Sequence, residues 1–113
     1  MKKMKKNILL TGASGSVGKE TLKELVARKN DFNITVFDIE NSKSRKIFNK
    51  YQNEIKIVYG DISNSEIFEE FTKNIDFVIH LAAIIPPFAD LKPELAEKVN
   101  VRGTQNLIKA IEK

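Results

Sequence analysis

The chain has 113 residues, 42% of them apolar and 30% charged, with a formal net charge of +4 and no cysteine. That length accommodates one domain and leaves little room for a second core, while the absence of thiols excludes a disulfide framework and any thiolate metal centre. The positive excess gathers at Lys2, Lys3, Lys5 and Lys6, whereas the other Lys and Arg alternate with Asp and Glu along helical stretches, the pattern of a solvated face rather than of a nucleic-acid-binding one.

Taken in order, Asn7–Leu10 reads as a short buried strand ending at Thr11-Gly12. Its apolar core is too short for a secretory signal, and no stretch approaches the roughly 20 apolar residues of a membrane helix. A cytoplasmic protein with neither nucleic acid nor membrane as partner is therefore expected. From Ser16 to about Lys29, Val17, Thr21, Leu22, Leu25 and Val26 share one helical face. Asn33–Asp38 is the second strand, Ser42 to about Gln52 a polar helix with an Ile47, Phe48, Tyr51 stripe, and Ile55–Tyr59 the third strand. Ser63 with Glu66 spells a capping box, followed by Ile67, Phe68, Phe71 and Ile75 on one face. Asp76–Ala83 is the fourth strand, apolar on both sides. After Pro86-Pro87, Pro93 suits a first helical turn, and Leu95, Val99, Gly103, Leu107 and Ile111 recur every four residues.

Strands alternating with helices imply a parallel sheet with right-handed crossovers, and strands apolar on both faces require cover on both. The expected fold is α/β, a Rossmann-like parallel sheet of four strands in order 3-2-1-4 with helices on both faces. Its ligand crevice would lie at the carboxyl ends of strands 1 and 4.

The turn Thr11-Gly12-Ala13-Ser14-Gly15-Ser16-Val17-Gly18 lies there. Gly12 leaves the strand without steric cost, Gly15 admits a pyrophosphate close to the backbone, and Gly18 lets the helix approach the sheet. The N–H groups of Ser16 and Val17 would face the phosphates with the helix dipole behind them. An ATP-type phosphate loop is rejected: its first glycine would fall on Ala13 and its metal-binding hydroxyl on Glu20. Asp38 ends the second strand, twenty positions after Gly18. A carboxylate there accepts ribose hydroxyls and repels a 2′-phosphate, which favours NAD. Lys43 and Arg45 keep NADP as the alternative.

With these residues in view, the chain resembles the extended short-chain dehydrogenase/reductase family, the NAD-dependent epimerases and dehydratases. TGASGSVG is similar to that family's TGxxGxxG, and His80-Leu81-Ala82-Ala83 to its HxAA. Asn100-Val101-Arg102-Gly103-Thr104 is similar to its NVxGT, and Gly60-Asp61-Ile62 to its third-strand motif. The resemblance implies that the Asp61 side chain and the backbone of Ile62 contact the adenine. It also implies that Leu81, Ala82 and Ala83 run along the cofactor's ribose and nicotinamide, and that Asn100 steadies the fourth strand. His80 is tempting as a base, but a lone histidine on an apolar strand is more often a hydrogen-bonded core residue, and the resemblance gives it no proton-transfer role.

The family's Tyr-x-x-x-Lys pair does not occur: Tyr51 is followed four places later by Ile55, and Tyr59 by Ser63. No catalytic residue and no metal ligand is therefore assigned. Residues 1–113 are expected to form the N-terminal part of an NAD(P)-binding domain, with the rest of the sheet, the catalytic helix and the substrate domain elsewhere. The parent would be an oxidoreductase or epimerase passing a hydride between nicotinamide and an alcohol or ketone, such as a nucleotide sugar. The alternative is a non-catalytic dinucleotide-binding or sensor module. An uncovered fourth-strand edge would invite self-association.

Overall fold

A computed structural model describes residues 4–63, 73–82 and 92–111. It divides into two units, Met1–Gly60 with Asn74–Leu81, and Asp61–Lys73 with Ala82–Lys113.

The first unit holds the sheet. Strands β1 (Lys6–Thr11), β2 (Phe32–Asp38), β3 (Ile55–Tyr59) and β4 (Phe77–His80) lie in the order β3-β2-β1-β4. All neighbours run parallel, with Ile8 opposite Ile34 and Phe77, and Val36 opposite Ile57. Partners in register share a face. Ile8, Leu10, Ile34 and Val36 therefore form one apolar surface, which packs against Leu22 and Leu25 of α1 (Ser16–Ala27) and Phe48 of α2 (Ser42–Asn49). Leu9 and Phe37 point the other way and are also buried, so the central strands are apolar on both sides, as the sequence requires.

Element ends differ from the sequence reading for local reasons. Helix α1 stops at Ala27 rather than Lys29. Arg28 and Lys29 turn their N–H groups back three residues to Leu25 and Val26, and this tight turn returns the chain to β2 one residue early, at Phe32. Helix α2 stops at Asn49 rather than Gln52, followed by turns from Tyr51 to Phe48 and from Glu54 to Tyr51. Its start carries a capping box that the sequence reading lacks: Asn41 Oδ1 accepts from Ser44 N–H at 2.8 Å, and Ser44 Oγ accepts from Asn41 N–H at 3.0 Å. Strand β4 is shorter than the expected Asp76–Ala83. Its partner β1 ends at Thr11, where Gly12 takes the chain away in a left-handed conformation at φ 69°.

In the second unit the last helix is not one continuous α-helix. It runs as α3 (Pro93–Glu97), a π-helical segment (Lys98–Gly103) and α4 (Thr104–Ile111). An apolar repeat of four residues outruns the 3.6-residue α-turn, and a wider π-turn keeps Val99, Gly103 and Leu107 buried together. Leu95 falls off this stripe and is exposed, while its neighbour Ala96 is buried. A Cβ on Gly103 would stand 2.5 Å from Ile62 Cγ2. The Ser63 hydroxyl donates to Asp61; Glu66, Ile67, Phe68 and Phe71 lie outside the described residues.

Candidate functional site

The carboxyl end of β1, flanked by β2 and β4, carries the glycine turn. Gly12 N–H donates to Phe37 O at 3.0 Å and anchors the turn to β2, and Gly15 N–H closes it on Gly12 O at 3.2 Å. Gly18 is fixed by contact: a Cβ there would lie 2.1 Å from Gly12 O and under 3 Å from two Ala13 backbone atoms. Gly15 differs. Its φ of −71° suits any residue, and a Cβ would meet only Gly12 O, at an ordinary 3.5 Å. Among the described residues, nothing demands glycine at position 15.

Gly15 is also the N-cap of α1, and no side chain caps that helix. Its first amides, with partial positive charge at the helix start, belong to the exposed Ser16 and Val17 and to buried Gly18. Val17 is 65% exposed although apolar.

Asp38 leans across from β2 onto this turn. Its Oδ2 accepts from Ser14 N–H at 2.9 Å and from the Ser14 hydroxyl at 2.5 Å, and its Oδ1 from Ile39 N–H at 2.8 Å. Ser14 was not singled out in the sequence; in a glycine-rich turn a serine looks the same whether it faces solvent or grips another strand. Tyr59, opposite Asp38 on β3, has its phenol pushed above the ordinary value, first by burial and then by Glu40. A tyrosine serving as base needs the opposite shift.

At the end of β4, Thr11 Oγ1 lies 2.6 Å from His80 Nδ1 and accepts from Leu81 N–H at 3.1 Å. Burial pushes His80 below its ordinary value. A hydrogen bond that ties the end of β4 to the end of β1 is a structural arrangement, and it joins the first residues of the TGxxGxxG-like and HxAA-like motifs. Leu81 is 36% exposed and so open to a ligand.

In the second unit Asp61 Oδ1 accepts from the Ser63 hydroxyl at 2.7 Å and Ser63 N–H at 2.9 Å. These bonds, the hydroxyl foremost, hold its carboxyl below the usual range. Ile62 is buried, and its carbonyl accepts from Asn106 Nδ2 at 3.3 Å; only its backbone is left for an outside contact. Ala82 is half-buried, and Ala83 lies outside the described residues. Asn100 O accepts from the Thr104 hydroxyl at 2.8 Å. Among the described residues, no three His, Cys, Asp or Glu side chains cluster as a metal site would require, and no helix is long and apolar enough to cross a membrane.

Comparison with known proteins places this geometry among relatives. Residues 9–113 match the 3-beta hydroxysteroid dehydrogenase/isomerase family. An uncharacterized membrane protein of Methanocaldococcus jannaschii is 36% identical over 91% of this chain and 31% of its own length. A UDP-N-acetylglucosamine 4,6-dehydratase (inverting) of Campylobacter jejuni is 34% identical over 93% and 32%. Among solved structures, Pen from Bacillus thuringiensis superposes with a TM-score of 0.82 at 30% identity, covering 97% of this chain and 34% of that one. The Thermus thermophilus UDP-glucose 4-epimerase complex with NAD gives 0.78 at 25%, covering 92% and 33%. The chain thus spans about a third of the length of the curated relatives it matches.

Proposed function

Because the chain belongs to the 3-beta hydroxysteroid dehydrogenase/isomerase family, within the extended short-chain dehydrogenases/reductases and NAD-dependent epimerases/dehydratases, we propose that it holds NAD at the Gly12–Gly18 turn. The observation that carries this is Gly15. Among the described residues it has no steric or conformational reason to be glycine, and in this reading the space above it is kept for a ligand. In this reading a diphosphate lies there, beside uncapped amides at a helix start. Asp38 takes the adenosine ribose. Asp61 and the Ile62 backbone are assigned to the adenine by the family's pattern, and Leu81, Ala82 and Ala83 to the ribose and nicotinamide.

In this reading residues 1–113 are the N-terminal part of an NAD(P)-binding domain, and the complete polypeptide is an oxidoreductase or epimerase. Bound nicotinamide supplies a hydride acceptor for an alcohol, in the nucleotide-sugar class that the dehydratase and epimerase relatives handle. This chain's residues position that cofactor; proton transfer belongs to a Tyr-x-x-x-Lys pair not found among the 113. Titration with NAD and NADP should show NAD preferred, with Asp38→Ala weakening NAD about tenfold or more and no turnover in either protein. Equal binding of NAD by Asp38→Ala would sink the assignment.

We also propose that β4 pairs with a second copy of the chain. Among the described residues only β1 pairs with it, Phe77 is 54% exposed, and an open groove of about 620 Å³ adjoins it, lined by Ile8, Leu25, Phe77 and Ile79 together with Glu24 and Arg28. An exposed apolar edge of this kind is a template for another strand. Sedimentation that remains monomeric across the concentration range would refute this.

A further inference from the structure

The lysine-rich start of the chain has no role in the dinucleotide reading, and it leads to the opposite end of the sheet. β1 runs from Lys6 to Thr11, so at roughly 3.3 Å per residue about 17 Å separates that end from the glycine turn. There an open groove of about 590 Å³ wraps the amino ends of β2 and β3, lined by Lys5, Lys29 and Lys56, with Glu54 the one acid among its described lining residues. The three lysines come from ahead of β1, from after α1 and from within β3. Glu54 answers Lys29 at 3.3 Å. Lys5 and Lys56 are exposed and have no ion pair or hydrogen bond among the described residues, and the side chains of Asn30 and Asn53, which also line the groove, have no hydrogen bond there either. The sheet changes character at this end. One face of β2 passes from buried Phe37 through half-buried Thr35 to exposed Asn33, and Lys56 stands opposite Thr35 in register. A sheet face meant for an apolar helix is apolar throughout; this one ends polar and cationic.

We propose that this groove docks a short acidic segment of a partner protein. The ammonium groups of Lys5 and Lys56 supply unspent donors for carboxylates, and the amides of Asn30 and Asn53 supply both donors and acceptors for a peptide backbone. Half-buried Phe32 and Ile55 give an apolar side chain of the segment a surface to rest on. Charge argues against a second copy as the occupant, since a chain of net charge +4 brings no acidic excess. Single-stranded nucleic acid is disfavoured on other grounds: its bases stack on aromatic platforms, and the one aromatic among the described lining residues, Phe32, is half-buried. The groove is open along its length, which suits a segment of chain better than a small ligand that needs most of its surface covered. The site is independent of the glycine turn, so partner and dinucleotide bind at once.

The test is the fluorescence anisotropy of a labelled Glu-Glu-Leu-Glu-Glu peptide titrated with the whole chain at low salt. The wild type should bind it, less tightly as salt is raised, and saturating NAD should not displace it. Lys5→Glu with Lys56→Glu should weaken binding about tenfold or more while leaving the thermal midpoint unchanged. Lys5→Gln with Lys56→Gln, which removes charge without reversing it, should fall between that variant and the wild type. Lys46→Glu with Lys109→Glu makes the same change in net charge on exposed residues outside the groove and should bind as the wild type does. A wild-type chain that leaves the peptide unbound overturns the proposal. So does equal weakening in the two glutamate variants, because net charge alone would then explain the attraction. An oligothymidylate that binds more tightly than the peptide, and loses affinity in the Lys5 and Lys56 variants, would overturn it in favour of nucleic acid. Displacement of the peptide by NAD would place the contact at the glycine turn and overturn it as well.

Discussion

Two aspartates in this chain each accept the N–H and the hydroxyl of a single serine, and the two pairs teach different things. Asp61 takes both from Ser63, two residues on, a turn that any Asp-x-Ser segment closes by local means. Asp38 takes both from Ser14, 24 residues away, and does so only when β1 and β2 are in register with Thr11 opposite Phe37. The local pair shapes its own loop. The distant pair converts the alignment of two strands into the aim of a carboxylate. The glycines of the two regions differ in the same way: Gly18 is hemmed by backbone, Gly103 by the end of one isoleucine side chain.

The largest effect expected is Gly18→Ala. The new methyl meets Gly12 O and Ala13 backbone atoms that have nowhere to go, so a loss of about 3 kcal/mol or more is expected in urea denaturation. Gly103→Ala should cost about 1–2 kcal/mol, because Ile62 gives way in part. In an Ile62→Ala background, which removes Cγ2 itself, Gly103→Ala should cost less than it does alone, whereas no side-chain truncation should rescue Gly18→Ala. A similar cost for both glycines would break the contrast. Smaller still, Asp61→Ala should cost under about 1 kcal/mol, as befits a local turn at the surface.

Among the described residues two ionisable groups are depressed, and they separate by pH. His80 is lowered by burial, so the unfolded chain binds its proton more readily than the folded one. Stability should therefore be full above the ordinary value of 6.5 and fall as the pH drops below it. Asp61 is lowered by hydrogen bonds, so its contribution survives until the pH falls below the ordinary 3.8 and fades from there. Thermal midpoints across this range should show two separate declines, with His80→Gln removing the upper and Asp61→Asn the lower.

Much of the fold could be read from the sequence because its signals are local. The strand–helix alternation, the order β3-β2-β1-β4 and the glycine turn follow from period and composition over a few residues at a time. So does the placement of Asp38 at the end of β2. The length of β4 could not be read that way, because Asp76–Ala83 is apolar well past the point where its partner β1 turns off at Gly12. The π-turn left a trace, an apolar repeat of four where an α-helix wants 3.6, which was read as an ordinary stripe. The Asn41–Ser44 cap went unread because it uses Asn and Ser in place of the Ser/Thr and Glu/Gln of the familiar pattern. Ser14 left no trace, because its partner lies 24 residues away; Thr11 and His80 are fixed positions of two motifs, but only tertiary contact pairs them across 69 residues.

Placing β1 between β2 and β4 also sets an order of assembly during synthesis. β1 can meet β2, and β2 can meet β3, as soon as Tyr59 has left the ribosome, but the other side of β1 waits for Phe77, 69 residues after its partner Ile8. At ordinary translation speeds the stretch from Tyr59 to Phe77 takes on the order of one to four seconds to make. Throughout that interval the nascent chain carries the strand with the most buried residues with one flank open, and that is when it is most exposed to mispairing with a neighbouring nascent chain.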